Sequence, residues 1–322
     1  MTAQQAAPAT APIERIGLLT GGGDAPGLNA VIRAVVLAAA RRGWECHGIR
    51  DGFNGLLAPE TCGGAPVQPL GEADVHAIGH LGGTILGTTN RGNPLRYPTP
   101  APQGGLVEQD RSGDVVALCR ARGLDALVIV GGDGSMGIAH ALHLQGMRVA
   151  GVPKTIDNDL DRTFVTFGFD TAVGFAADCI DRLHSTAHSQ HRVMVVEVMG
   201  RYAGWIALHA GIAGGAHAIL VPEIPFRIEA VTGAIAGRDA AGHRHAIVVV
   251  AEGAQALGGD RVAGVHGRVD ANLVSLALGS LQNFGDYART KILELRAQLA
   301  ARSEQPATLD GQGKLNDAIL YS

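Results

Sequence analysis

The segment Thr155-Ile156-Asp157-Asn158-Asp159 carries two carboxylates two residues apart in a polar turn. Phosphoryl transfer to an alcohol needs a carboxylate within hydrogen-bond reach of the attacking hydroxyl. Asp157 suits that role, and Asp159 suits holding a metal's water shell or fixing the loop. The same five residues also read as a plain solvated acidic turn. A further acid, Asp133, lies inside Gly131-Gly132-Asp133-Gly134-Ser135. Glycine turns let backbone N–H groups approach phosphate oxygens. A carboxylate beside them opposes a bound phosphate unless a cation intervenes, and Mg2+ held by one carboxylate and the phosphate oxygens meets that need. The competing reading is a turn in which Asp133 caps the next helix. The segment Gly21-Gly22-Gly23-Asp24-Ala25-Pro26-Gly27 is a second glycine turn. It matches neither GxxxxGK[ST] nor GxGxxG, so alone it is equally a tight turn.

Arg192 and Arg201 place guanidinium groups at a strand end, where they can hold phosphate and spread transition-state charge. Each, taken singly, also reads as a surface residue. Glu252, before Gly253, can accept hydrogen bonds from sugar hydroxyls or be an ordinary strand-end acid. The 13 histidines show no metal-ligand spacing, and His243 and His245 are assigned no site.

The elements that must position these residues follow from apolar runs. Strands are predicted at Arg15–Thr20, Ala126–Val130, Arg148–Val152, Arg192–Val198 and His245–Ala251. Helices are predicted at Asn29–Arg42, Ile138–Leu144 and Ala172–His184. Strand, glycine turn and helix alternate, which implies an α/β fold with mostly parallel sheets. Each motif falls at the carboxyl end of a strand, the edge where open α/β sheets bind ligands.

A chain of 322 residues with 46% hydrophobic content can bury a large core in one or two domains. The net charge of -4 is spread along the chain, so no nucleic-acid or membrane surface is expected. No apolar run is long enough to span a bilayer. Residues 1–13 read as a disordered tail without signal-peptide features. The four cysteines form no C-x-x-C pair. That usage fits a reducing compartment, and a cytoplasmic location is expected.

Taken in order, IGLLTGGGDAPGLNAVIR, GGTILGTTNRGNP, IVGGDGS, PKTIDND, TFGFDTA and VVEVMGRYAGWIAL resemble the 6-phosphofructokinase family, from Ile16 to Gly253. The resemblance implies a phosphofructokinase-like fold of two Rossmann-like α/β domains. These would be a donor domain at 14–168, an acceptor domain at 169–280, and a shortened segment at 281–322 packing between them. It implies Mg-ATP-dependent phosphorylation of a sugar or sugar-phosphate hydroxyl, by default fructose 6-phosphate in glycolysis, by a homotetramer or homodimer. Gly23, Arg91, Gly132, Asp133, Gly134 and Ser135 would bind the donor, with Mg2+ at Asp133. Asp157 would be the base, with Thr155 and Asp159 beside it. Met199, Gly200, Arg201 and Glu252 would contact the sugar. Arg192 would reach a sugar phosphate across a subunit boundary. Gly134 permits ATP, where the family's pyrophosphate users carry Asp; Lys154 is shared with pyrophosphate users. Pyrophosphate as donor and a non-catalytic nucleotide-binding subunit stay open as alternatives.

The resemblance breaks after Glu252. The family segment that grips the sugar's 6-phosphate is best matched by SLALGSLQNFGD, with Val274, Ser280 and Asn283 where two arginines and a histidine are expected. Charge-assisted hydrogen bonds contribute roughly 1.5–3 kcal/mol each. A different sugar-like acceptor is therefore a serious alternative, unless His266, Arg268 or Arg289 supplies the charge.

Overall fold

Strand β1 (Arg15–Thr20) is buried along nearly its whole length because helices cover both faces of its sheet. Ile16 and Leu18 point to one side, toward α1 (Leu28–Ala40), while Leu19 points to the other. That is why the run RIGLLT shows no alternation. The computed structural model describes residues 12–257. They divide into two compact units, one of 12–155 with 159–168, the other of 156–158 with 169–257.

In the first unit β1 is followed by β2 (Glu45–Ile49), α2 (Asn54–Leu57), β3 (Val67–Leu70) and α3 (Glu72–Val75). A hairpin of β4 (Tyr97–Pro100) and β5 (Leu106–Gln109) precedes α4 (Ser112–Ala121). Then come β6 (Ala126–Gly131), α5 (Asp133–Leu144), β7 (Arg148–Thr155) and β8 (Phe167–Gly168). The sheet order is β3-β2-β1-β6-β7-β8, parallel except for β3. The chain leaves β1 toward β2 on one side and reaches β6 and β7 on the other. The strand order therefore reverses between β1 and β6, the position where such sheets open a ligand crevice.

The second unit runs α6 (Phe169–Gln190), β9 (Val193–Val198), α7 (Trp205–Ala213), β10 (Ala218–Leu220), α8 (Ile228–Ala240) and β11 (Ala246–Ala251). Its three strands are parallel in the order β10-β11-β9. One face packs Met194, Val196, Ile247 and Val249 against α6 and α7; the other packs Val193, Val195, Val248 and Val250 against Val231 and Ile235 of α8.

The predicted strands and helices all exist, with shifted ends. β7 runs three residues further than expected, so Pro153, Lys154 and Thr155 are strand rather than loop. α5 starts five residues earlier, at Asp133, and α6 spans 22 residues. The sequence reading grouped Asp157 with 14–168, whereas Ile156–Asn158 group structurally with the second unit. Residues 1–11, the rest of the expected acceptor domain at 258–280 and the segment 281–322 lie outside the described residues. So do Val274, Ser280, Asn283, His266, Arg268 and Arg289. No helix among the described residues is long and apolar enough to cross a membrane.

Candidate active site

In the first unit the turns after β1 and β6 lie side by side, because those strands pair in register from Ile16 with Ala126 to Thr20 with Val130. The Gly21 amide donates to Val130 O at 2.9 Å and closes the first turn onto β6. A Cβ at Gly131 would lie 2.3 Å from Ser135 Oγ, and one at Gly21 would lie 2.8 Å from it. The buried Ser135 thus fills the space that two glycines leave. Gly22 has φ +81, in the left-handed region that glycine adopts without strain. Its amide donates to Thr89 O at 3.1 Å, and Thr88 Oγ1 donates to Gly22 O at 2.6 Å. Arg91 follows on that loop, exposed, with its amide on Thr89 Oγ1 at 2.9 Å.

Gly132 is the N-cap of α5, and no side chain caps that helix. The capping alternative for Asp133 is therefore not what the fold does. Asp133 is the first residue of α5 and is exposed. Its carboxylate stands at the positive end of the helix dipole. Nothing lies within 4 Å of where a Cβ would stand at Gly23 or Gly134. Among the described residues, Gly23 and Gly134 thus face open space at the carboxyl edge of β1 and β6, with Asp24 and Asp133 exposed beside them.

Lys154, on neighbouring β7, is 4% exposed, and its ammonium donates to Gly23 O. A buried cation thereby enters the first glycine turn. Such a cradle fits a polyphosphate: amides, one ammonium and open space at the reversal of strand order. Among the described residues no group of three or more His, Cys, Asp or Glu is placed to hold a metal. A single exposed carboxylate such as Asp133 could hold one only together with oxygens of a bound phosphate chain.

Thr155 ends β7, and its carbonyl accepts from the buried Thr166 hydroxyl at 2.7 Å. Asp157 follows two residues later and is 7% exposed. A solvated acidic turn would not bury that carboxylate. Asn158 takes φ 52, a conformation its short side chain tolerates, and Asp159 is exposed.

In the second unit Met199, Gly200 and Arg201 follow β9 directly. Glu252 Oε1 accepts the Gly200 amide at 3.2 Å and the Arg201 amide at 2.6 Å. Those bonds hold Arg201 at φ 51, unusual for a residue with a Cβ. Gly253 cannot be replaced without movement, since a Cβ there would stand 2.0 Å from Arg201 O. Met199 and Arg201 are exposed at this edge.

Arg192 needs correction. It precedes β9, whereas Arg201 follows it, so the two guanidinium groups do not share a strand end. A strand of six residues separates them, about 20 Å at 3.3 Å per residue. Arg192 Nε is buried with no hydrogen-bond partner among the described residues.

Sequence reasoning missed two contributors. The loop at Thr88 and Thr89 was quoted only within a motif, because threonine hydroxyls bonding to backbone leave no spacing signature. Glu197, on β9, was read as part of an apolar strand. Burial, and then the nearby Glu252 charge, push its carboxyl up to about 8. An acid inside VVEV was the available signal.

Comparison with known proteins places this geometry. A family model described as phosphofructokinase matches residues 15–299. The chain is 54% identical over 256 residues to ATP-dependent 6-phosphofructokinase of Chloroflexus aggregans, covering 80% of this chain and 69% of that protein. It is 51% identical over 249 residues to pyrophosphate--fructose 6-phosphate 1-phosphotransferase of Amycolatopsis methanolica, covering 77% and 67%. Among solved structures, phosphofructokinase from Saccharomyces cerevisiae is similar with a TM-score of 0.67 at 26% identity. That match covers 92% of this chain, which spans 42% of the yeast chain.

Proposed function

The chain belongs to the phosphofructokinase family, and on that premise we propose that it transfers the terminal phosphoryl group of ATP to a hydroxyl of a sugar phosphate, fructose 6-phosphate by family default. One observation carries the donor side: two glycine turns and the Lys154 ammonium meet at the reversal of strand order, with Asp133 exposed in the first turn of α5. Gly21–Gly23 and Gly132–Ser135 cradle the phosphates through backbone amides, and the exposed Arg91 adds a positive charge. Asp133 holds Mg2+, which when bound neutralises phosphate charge.

Asp157 accepts the proton of the attacking hydroxyl. Its burial at 7% exposure supports that role, since a base shielded from water is not distracted by it. Thr155 and Asp159 flank it in sequence and fix the loop. Arg201 spreads the charge that develops on the transferring group. The Met199–Arg201 turn, tied by Glu252, meets the sugar. Arg192, six strand residues away with a buried Nε that has no partner among the described residues, is the cation for a sugar phosphate of a second copy in a homotetramer or homodimer.

Pyrophosphate as donor is the second reading. Lys154 in the first glycine turn favours a compact polyphosphate, and the Amycolatopsis relative is named for that donor. A donor-by-acceptor screen decides between the readings. ATP, ADP and pyrophosphate are crossed with sugars and sugar phosphates, and the phosphorylated product is read by mass. Turnover of fructose 6-phosphate with ATP sustains the first reading. Turnover with pyrophosphate alone replaces it with the second, and turnover only of another polyol replaces the acceptor.

A further inference from the structure

Glu197 stands where a carboxylate has no ordinary reason to be. Residues alternate along β9, so Val193, Val195 and Glu197 share one sheet face. On that face Val193 and Val195 join Val248 and Val250 of β11 in an apolar cluster under α8, which contributes Val231 and Ile235. Glu197 pairs in register with Val250, and Glu252 follows two residues beyond Val250, just past the end of β11. The two residues therefore sit near the carboxyl ends of paired strands, at the edge that carries the Met199–Arg201 turn, and the Glu252 charge acts on the Glu197 carboxyl. Glu252 has a visible task, holding the Gly200 and Arg201 amides. Glu197 has none, although it sits behind Glu252 in the more apolar position.

We propose that Glu197 is a positioning residue: it acts through Glu252 on the Gly200–Arg201 turn, and so on affinity for the phosphoryl acceptor. This rests on the reading above that the turn meets the sugar. Its physical basis is the asymmetry of the pair. Burial acts first and Glu252 second to keep the Glu197 carboxyl protonated at neutral pH, with its pKa near about 8. Among the described residues Glu252 is the charged group that acts on it, and α8 faces it with aliphatic side chains. A neutral Glu197 leaves Glu252 the one anion at this edge. Its negative charge is then free to bind the two amides. When Glu197 ionises, two like charges share a sheet edge. Glu252 is then driven outward and the Arg201 backbone, held at φ 51, loses its restraint.

The test uses the full chain at pH 6.5 to 9.5, with KM for fructose 6-phosphate, KM for ATP and kcat measured for wild type, E197Q and E252Q. In wild type the acceptor KM is expected to rise between roughly threefold and tenfold above pH 7, tenfold being one pK unit of coupling, while ATP KM stays level. E197Q, neutral at every pH, is expected to keep the low acceptor KM throughout. An acceptor KM that is flat in wild type, or that rises equally in E197Q, overturns the proposal. E252Q separates this from the parent reading. If its acceptor KM at pH 7 equals that of wild type, the sugar-contact role of the turn fails, whatever Glu197 does.

Melting temperature supplies a readout without turnover. The folded pKa of Glu197 is raised from 4.5, so the protonated group stabilises the fold at low pH, and that contribution is lost as pH rises toward about 8. E197Q is expected to remove this slope, and a slope unchanged in E197Q overturns the proposal.

Discussion

The Lys154 ammonium donates to the carbonyl oxygen of Gly23. This bond joins the end of β7 to the turn after β1, two strands away across β6. A buried cation thus restrains the loop proposed above to cradle the donor. Lys154→Met is expected to leave Gly23 O without this donor and to raise KM for the phosphoryl donor about tenfold, which is about 1.4 kcal/mol. Acceptor KM is expected to stay within twofold or so of wild type. Steady-state kinetics with each substrate varied in turn checks both. An equal loss for donor and acceptor would mean that Lys154 serves the fold rather than the donor.

Asp157→Asn keeps the size of the side chain and removes its basicity. The expected result is a fall in kcat of roughly 10²- to 10⁴-fold with little change in either KM. Rapid-quench measurement of the chemical step, alongside a melting curve, shows whether chemistry rather than folding is lost. Unchanged turnover would remove Asp157 from the base role.

Gly134 faces open space, so a side chain there collides with nothing among the described residues. Gly134→Asp is therefore expected to melt within a degree or two of wild type, as surface substitutions do. Its new carboxylate, in the first turn of α5 beside Asp133, opposes a nucleotide phosphate. ATP binding, measured by calorimetry, is expected to weaken at least tenfold. Pyrophosphate, which is shorter, is expected to lose less.

Four histidines form a row in the second unit. His184 and His217 have ring centroids 6.1 Å apart, His217 and His245 are 5.7 Å apart, and His245 and His188 are 5.2 Å apart. Burial, followed by Arg238 and the neighbouring rings, holds His217 below its ordinary value. Burial, followed by His188 and Arg238, does the same to His245. A histidine whose folded pKa is lowered favours the neutral form in the fold. Its stabilising contribution is present above the unfolded value of 6.5 and is lost as pH falls through that value and below. The melting temperature is expected to drop between pH 7.5 and 5.5, and to drop less in His188→Gln, an exposed substitution. Because Glu197 acts in the opposite sense over part of this range, variant must be compared with wild type at each pH. An identical drop in both would exclude the row as its source.

The strands were the most legible part of the sequence. RIGLLT, ALVIV and HAIVVVA are apolar on both faces, as strands inside a helix-covered sheet must be. Helix α7 was not legible, since WIALHAGIA is apolar nearly all round and shows no amphipathic stripe. β7 extends three residues past the predicted Val152: Pro153 pairs with Gly131 at the end of β6, and Lys154 and Thr155 pair with β8. In the site, Asp133, Asp157 and the glycines could be named because their chemistry depends on residue type. The separation of Arg192 from Arg201 could not, because nine positions of sequence do not tell an extended span from a turn. Glu197 was hidden for a related reason: its role depends on the face it occupies and on a neighbour 55 positions later.

β9 is, in this light, a ruler. Its six residues set the span between Arg192 and Arg201, and its pleat puts Glu197 on the face of Val193 and Val195. Removing or adding one residue would change both at once, moving one guanidinium by about 3.3 Å and turning Glu197 toward α6 and α7. A substitution such as E197Q changes one of these relations, whereas a change of length alters both.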